Sequence, residues 1–280
     1  MLEAKTDELK SFGIIGCGNM SQAFFGSIFS HNQNLQQRKI LTYTPSKTKA
    51  KELAHLVGGH QVNNLSYMKH VDVICFAFKP QQFKEFISQS SDIDFKDKTI
   101  LSIMAGIDVE LIKKLTGAKK VIRVMPSMPI EKKQGITLLK ASKEVERDQI
   151  DDLESLCKDY SLVIRLEEEK LFDKLTLLTS SGPAFVYYLL SSFQDKLIDF
   201  GLKNDDALKI VIKLFEGSLS VVKDSSFDLQ TLRAQVTSKK GVTAEGLSHM
   251  EQTRVGENIS YAFDKGYLRS LEMKSEVLSE

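Results

Sequence analysis

The chain of 280 residues is poor in the residues that build metal centres and disulfide frameworks. Its three cysteines, Cys17, Cys75 and Cys157, are widely spaced and odd in number, which argues against paired disulfides and against a Cys-x-x-Cys metal site. The five histidines show no ligand spacing, so no metal is expected. Unpaired thiols fit a reducing cytoplasm. Charge of one sign is also missing: 38 basic against 37 acidic residues leave +1, so nucleic acid is not an expected partner. No apolar run approaches membrane-spanning length, so no membrane association is expected. Met1–Lys10 is polar and lacks the apolar core of a secretory signal. There are only five prolines, no repeats and no low-complexity tract. Pro45, Pro80 and Pro126 each follow a strand-like run, where rigid turns would shape a ligand crevice.

What the chain does have is a glycine turn near its start. Phe12, Ile14 and Ile15 lead into Gly16-Cys17-Gly18, and helix-like sequence follows from Met20. A strand, a tight glycine turn and a helix N-terminus present backbone N–H groups to one spot and suit a pyrophosphate. Gly16 allows the turn, Gly18 lets a phosphate approach the backbone, and Ser21 is the small third residue where helix and strand pack closely. Without a ligand the same pattern is an ordinary βα turn.

Apolar runs then alternate with helix-like stretches. A helix is expected over about 20–29, and strands near 39–43, 71–78, 99–103, 121–124, 135–139 and 161–166. Near-continuous apolar strands separated by helices predict an α/β fold, a Rossmann-type doubly wound parallel sheet covered on both faces. After Leu166 the strand-like runs stop and helical periodicity takes over. Asn204 is read as an N-cap, and Leu208, Ile212, Phe215, Leu219 and Val222 form one apolar face. Ile210, Val211, Leu214 and Val221 widen it. The expected organisation is a dinucleotide-binding domain over 1–166 and an all-helical dimerisation domain over 167–280. Arg269–Glu280 is charged and expected to fray.

The end of the second strand bears on the cofactor. An acid there would bind a ribose 2′-hydroxyl. The sequence instead reads Thr44-Pro45-Ser46-Lys47-Thr48-Lys49, with hydroxyls and cations where a 2′-phosphate would reach. This favours NADP(H), with NAD(H) as a second cofactor. Ser46 equally suits the N-cap of the next helix, and Lys47 and Lys49 its solvated first turn.

Six segments, taken in order, resemble the pyrroline-5-carboxylate reductase family. They are Gly16-Cys-Gly-Asn-Met20, Phe78-Lys-Pro-Gln81, Ser102-Ile-Met-Ala-Gly-Ile107, Arg123-Val-Met-Pro-Ser-Met-Pro129, Ser181-Gly-Pro-Ala-Phe185 and Val236-Thr-Ser-Lys-Lys-Gly-Val-Thr243. The last two are the most specific, because they lie outside the dinucleotide pattern. The resemblance implies hydride transfer from NADPH to the imine carbon of 1-pyrroline-5-carboxylate, giving L-proline, by a homodimer or a ring of dimers. It implies a cofactor site built from Gly16, Gly18, Asn19, Met20, Thr44, Ser46, Lys47, Ala77, Lys79, Pro80, Ala105 and Gly106. It implies that Ser238, Gly241, Val242 and Thr243 bind the cyclic imino acid's carboxylate and that the Thr243 hydroxyl approaches the ring nitrogen. Read without the resemblance, Ser238 and Thr243 are helix-capping residues and Lys79 is an exposed lysine.

The sequence departs from the family pattern in three places. Lys239-Lys240 stand where the family has Pro-Gly, Ser127-Met128 where it has Asn-Thr, and Ser180 where it has glycine. Lysine takes glycine's positive-φ conformations at a cost, so a different loop path is expected at Lys240. Met128 is expected near the nicotinamide. These changes leave two further readings open: a reductase of the same architecture acting on another imine or carbonyl acid, and an NADP(H)-binding protein without turnover.

Overall fold

The computed structural model describes residues 11–30, 32, 35 and 37–279. Met1–Lys10 therefore lies outside the described residues. Two compact units divide the chain, one of residues 1–183 with 266–280, the other of 184–265.

The first unit is built on one eight-stranded sheet of order β3-β2-β1-β4-β5-β6-β7-β8. The strands are β1 (Ser11–Ile15), β2 (Lys39–Tyr43), β3 (His60–Gln61), β4 (Val73–Phe76), β5 (Thr99–Ser102), β6 (Lys120–Pro126), β7 (Gly135–Ala141) and β8 (Ser161–Arg165). Between them run α1 (Asn19–Ser30), α2 (Lys47–Val57), α3 (Phe83–Gln89), α4 (Val109–Thr116) and α5 (Arg147–Cys157). Order 3-2-1-4-5-6 is that of a doubly wound dinucleotide fold, with its switch point between β1 and β4. Side chains alternate across the strands and feed two apolar layers. Ile14, Phe24, Phe25, Leu53 and Val124 pack on one face. Ile15, Ile74, Phe76, Phe83 and Ile112 pack on the other.

The sheet differs from the expected all-parallel one at a single ladder, where β6 and β7 run antiparallel with Val124 opposite Leu139. The connection holds only the short 3-10 helix Met128–Lys132. A parallel return needs a crossover of about a dozen residues or more, so this short link must fold back.

Helix α6 (Glu169–Ser180) also belongs to the first unit, as does the end of α11 (Val255–Ser279) from Gly266 onward. Helix α6, the first of the helical region expected from residue 167, thus packs on the sheet: its Phe172 is fully buried beside Met125 and Leu138. Arg123, itself fully buried on β6, pairs with Glu169 and, at 3.0 Å, with Asp173, and lies 4.2 Å from the Phe172 ring centre. Helix α11 does not stop at Arg269. It continues to Ser279, with Arg269 bonded to Glu272 (3.0 Å) and Glu276 (2.7 Å).

The second unit contains α7 (Gly182–Asp199) from Ala184, α8 (Asn204–Asp224), α9 (Leu229–Gln235) and α10 (Val242–Gln252). Lys203, not Asn204, holds the N-cap position of α8, and Gln194 Nε2 donates to the Asn204 side chain at 3.0 Å. Among the apolar side chains of this unit only Ala207 and Val211 are buried. Leu208, Ile212, Leu219 and Val222 of the expected face are exposed in the single chain.

Candidate active site

The glycine turn sits at the carboxyl end of β1. Gly16 has φ +96°, and a Cβ there would stand 2.4 Å from the Ala77 carbonyl oxygen. Its N–H donates to Tyr43 O at 2.8 Å, while Ala77 N–H donates to Ile15 O at 2.8 Å. The turn is therefore clamped between β2 and the end of β4, and only glycine fits. Gly18 is the opposite case: nothing lies within 4 Å of a Cβ built on it. Open space in front of Gly18 and the unpaired N–H groups of the first turn of α1 leave room for a pyrophosphate. Asn19 and Met20 form that first turn. Ser21 is buried, as helix–strand packing requires, and its hydroxyl has no hydrogen-bond partner. Cys17 turns away from the cradle. Its thiol is buried and lies 3.7 Å from Tyr43 O, and burial pushes its pKa up to about 12. A thiol so protonated is no nucleophile.

Thr44, Ser46 and Lys47 follow β2. Ser46 occupies the N-cap position of α2, but its side chain makes no capping bond. With Lys47 and Lys49 exposed beside it, this first turn suits a 2′-phosphate. Between the ends of β1 and β2 and helix α3 lies an open cleft, lined by Ile15, Gly16, Tyr43, Thr44, Pro45 and by Phe78 and Phe86 opposite. Lys79 is exposed at the N-cap of the 3-10 turn Pro80–Gln82, beyond β4. After β5, Ala105 is exposed and Gly106 has φ +71°. The first unit thus gathers every residue expected of the cofactor site around the carboxyl ends of β1, β2, β4 and β5. Room, donors and cations together fit a dinucleotide.

The sequence did not single out the α3 side of the cleft, Gln82, Glu85 and Gln89. The signal was the spacing of three polar residues, from the N-cap to the last residue of a short helix, interleaved with the buried Phe83 and Phe86. It also did not foresee how the Pro126–Pro129 loop is held. Ser127 is buried, and its hydroxyl accepts Ile136 N–H at 2.8 Å. The Ser180 hydroxyl donates to Pro126 O at 3.2 Å. Met128 packs against the first apolar layer.

The other expected residues lie in the second unit. Gly241 is the N-cap of α10 and has no side-chain cap. Its N–H donates to Ser238 O at 3.1 Å, and a Cβ on it would meet the Ser238 hydroxyl at 2.2 Å. Lys240 takes φ +58°, the left-handed conformation its lysine side chain disfavours. Val242 and Thr243 open the helix, exposed. Neither Ser238 nor Thr243 caps α10, so both hydroxyls are free of that role.

Fold and site together define an NADP-dependent oxidoreductase with a Rossmann unit followed by helices. Two family descriptions match: "NADP oxidoreductase coenzyme F420-dependent" over residues 11–106 and "Pyrroline-5-carboxylate reductase dimerisation" over 169–273. The chain belongs to the pyrroline-5-carboxylate reductase family: it is 30% identical over 242 residues to the Aquifex aeolicus pyrroline-5-carboxylate reductase, across 86% of this chain and 88% of that one. It is 29% identical to the Haemophilus influenzae pyrroline-5-carboxylate reductase over 95% of this chain and 98% of the relative. Among solved structures, the Plasmodium falciparum pyrroline carboxylate reductase with NADP bound has a TM-score of 0.83 at 23% identity, covering 95% of this chain and 98% of its own. The Streptococcus pyogenes 1-pyrroline-5-carboxylate reductase has 0.84 at 24%, covering 94% and 98%.

Proposed function

We propose that the protein reduces 1-pyrroline-5-carboxylate to L-proline with NADPH, the last step of proline synthesis. The observation that carries this reading is the Gly16–Met20 cradle at the β1/β4 switch point in a chain whose helical part matches the reductase dimerisation region. NADPH, when bound, supplies the hydride; the substrate iminium accepts it at the ring carbon and becomes a secondary amine. An iminium is already a strong hydride acceptor, so the protein's work is positioning rather than acid catalysis.

In this reading Gly16, Gly18, Asn19 and Met20 hold the pyrophosphate, while Thr44, Ser46 and Lys47 hold the 2′-phosphate. Ala77, Lys79, Pro80, Ala105 and Gly106 line the rest of the cofactor's path. Ser238 and the backbone of Gly241–Thr243 hold the substrate carboxylate at the N-terminus of α10, and the Thr243 hydroxyl orients the ring nitrogen. The working form is a homodimer or a ring of dimers through the helical part, in the cytoplasm. Match to the dimerisation region and the exposed apolar faces of α7 and α8 support this assembly.

The test is NADPH oxidation with 1-pyrroline-5-carboxylate, with NADH as the control. Turnover that is faster with NADPH and falls sharply in Thr243→Ala is the expected result. NADPH binding without turnover would mean that the changed residues at 127–128 and 239–240 have altered the substrate or ended catalysis.

A further inference from the structure

The cleft beside the glycine turn has an apolar floor and one polar wall. Ile15, Leu65, Phe78 and Phe86 supply flat apolar surface, which suits an aromatic base. The polar wall comes from α3 and the turn before it, where Gln82, Glu85 and Gln89 follow one another along one side. Two of its hydrogen bonds fix what the wall offers. Gln82 Oε1 accepts Lys79 N–H at 3.3 Å, which commits the amide oxygen and leaves the NH₂ group as a donor. Gln89 Nε2 donates to Glu85 Oε1 at 3.0 Å, which steadies the carboxylate and leaves Oε2 as an acceptor.

We propose that Gln82 and Glu85 read the Watson–Crick edge of the cofactor's adenine and select a 6-aminopurine dinucleotide over its 6-oxopurine counterpart. This rests on the reading that the cleft receives the adenosine end of NADP(H). Adenine presents an acceptor, N1, beside a donor, the 6-amino group. A donor from Gln82 and an acceptor from Glu85 complement that pair. Hypoxanthine presents the reverse, an N1–H donor beside a 6-oxo acceptor. It would set N–H against N–H and a carbonyl oxygen against a carboxylate, leaving polar groups unpaired on both sides. A carboxylate has no attractive role toward the 2′-phosphate. That anion is served from the opposite side of the cleft, at the start of α2, by Ser46, Lys47 and Lys49.

The experiment is an equilibrium titration, followed by the fluorescence of the reduced nicotinamide, of NADPH and of its hypoxanthine counterpart. It is run on the full-length protein and on Glu85→Ala, whose exposed site on α3 leaves the core intact. The wild type should bind NADPH about tenfold or more tightly than the hypoxanthine form, and Glu85→Ala should bring the ratio to within about twofold. Thermal melts of the two proteins should coincide. A wild-type ratio near one, or a ratio unchanged in Glu85→Ala, overturns the proposal while leaving the cofactor assignment standing. Failure of the wild type to bind either dinucleotide overturns the cofactor reading itself, and the proposal with it.

Discussion

Lys274, near the end of α11, pairs with Asp108, the N-cap of α4, whose other oxygen accepts Leu111 N–H at 2.7 Å. Burial works to raise the Asp108 carboxyl pKa. Bonds from Lys274 and the Leu111 N–H, with the charges of Lys274 and Arg123, outweigh it and hold the group below the ordinary carboxylate range. A depressed folded-state pKa gives stability that is present above the unfolded value of about 3.9 and is lost as pH falls through the folded one. Lys274→Met should therefore cost on the order of 1 kcal/mol near neutral pH. The difference from wild type should shrink as the solution is acidified through that range. Chemical denaturation at a series of pH values checks it, and a difference independent of pH would show that the ion pair contributes nothing.

The two glycines of the cofactor turn should respond in opposite ways to alanine. Gly16→Ala forces a positive φ on a side chain and drives Cβ into the Ala77 carbonyl, a change worth about 3 kcal/mol or more. Its melting temperature should drop and its expression should suffer. Gly18→Ala meets only open space, so it should melt like the wild type yet bind NADPH about tenfold or more weakly, since the methyl occupies the pyrophosphate's approach.

Lys240 carries backbone strain that glycine would relieve. Lys240→Gly should stabilise the protein by about 0.5 kcal/mol, the left-handed cost of roughly 1–2 kcal/mol less the greater unfolded-state freedom of glycine. Lys239 has no positive φ, so Lys239→Gly should destabilise. Melting of the two variants side by side separates conformational strain from the loss of charge.

Arg123→Ala should be among the most damaging single changes in the first unit. It strands Glu169 and Asp173 beside a cavity next to Phe172, and breaking a buried pair of this kind costs about 3–5 kcal/mol. Urea unfolding reads the loss directly. A midpoint unchanged from wild type would mean that the two carboxylates find other partners.

The sheet was legible in the sequence because its strands are short, apolar and regularly punctuated. Ser11–Ile15, Lys39–Tyr43 and Ser161–Arg165 fall where the apolar runs predict. The direction of β7 was not legible, since alternation reports which face a side chain takes and not which way the strand runs. His60–Gln61 is too short to carry a pattern. The cofactor turn was readable because glycine has few reasons to recur at that spacing. The fastening of the next loop was not, because Ser127 and Met128 look like exposed loop residues until β7 and the first apolar layer receive them. The packing of α6 on the sheet was not legible for the same reason: Phe172 reads as one face of an amphipathic helix, and nothing local reveals that β6 and β7 bury it. Ser46 could not be assigned between capping and ligand binding from sequence, and its side chain makes no cap.

The sparse interior of the helical unit has a thermodynamic consequence. With Tyr188 and Phe200 each about three-quarters exposed and only Ala207 and Val211 buried among its apolar side chains, that unit gains little from its own packing. Most of its apolar burial must come from association, so folding and assembly become one equilibrium. The melting temperature then has no single value: it climbs with the logarithm of protein concentration, and dilution alone acts as a denaturant.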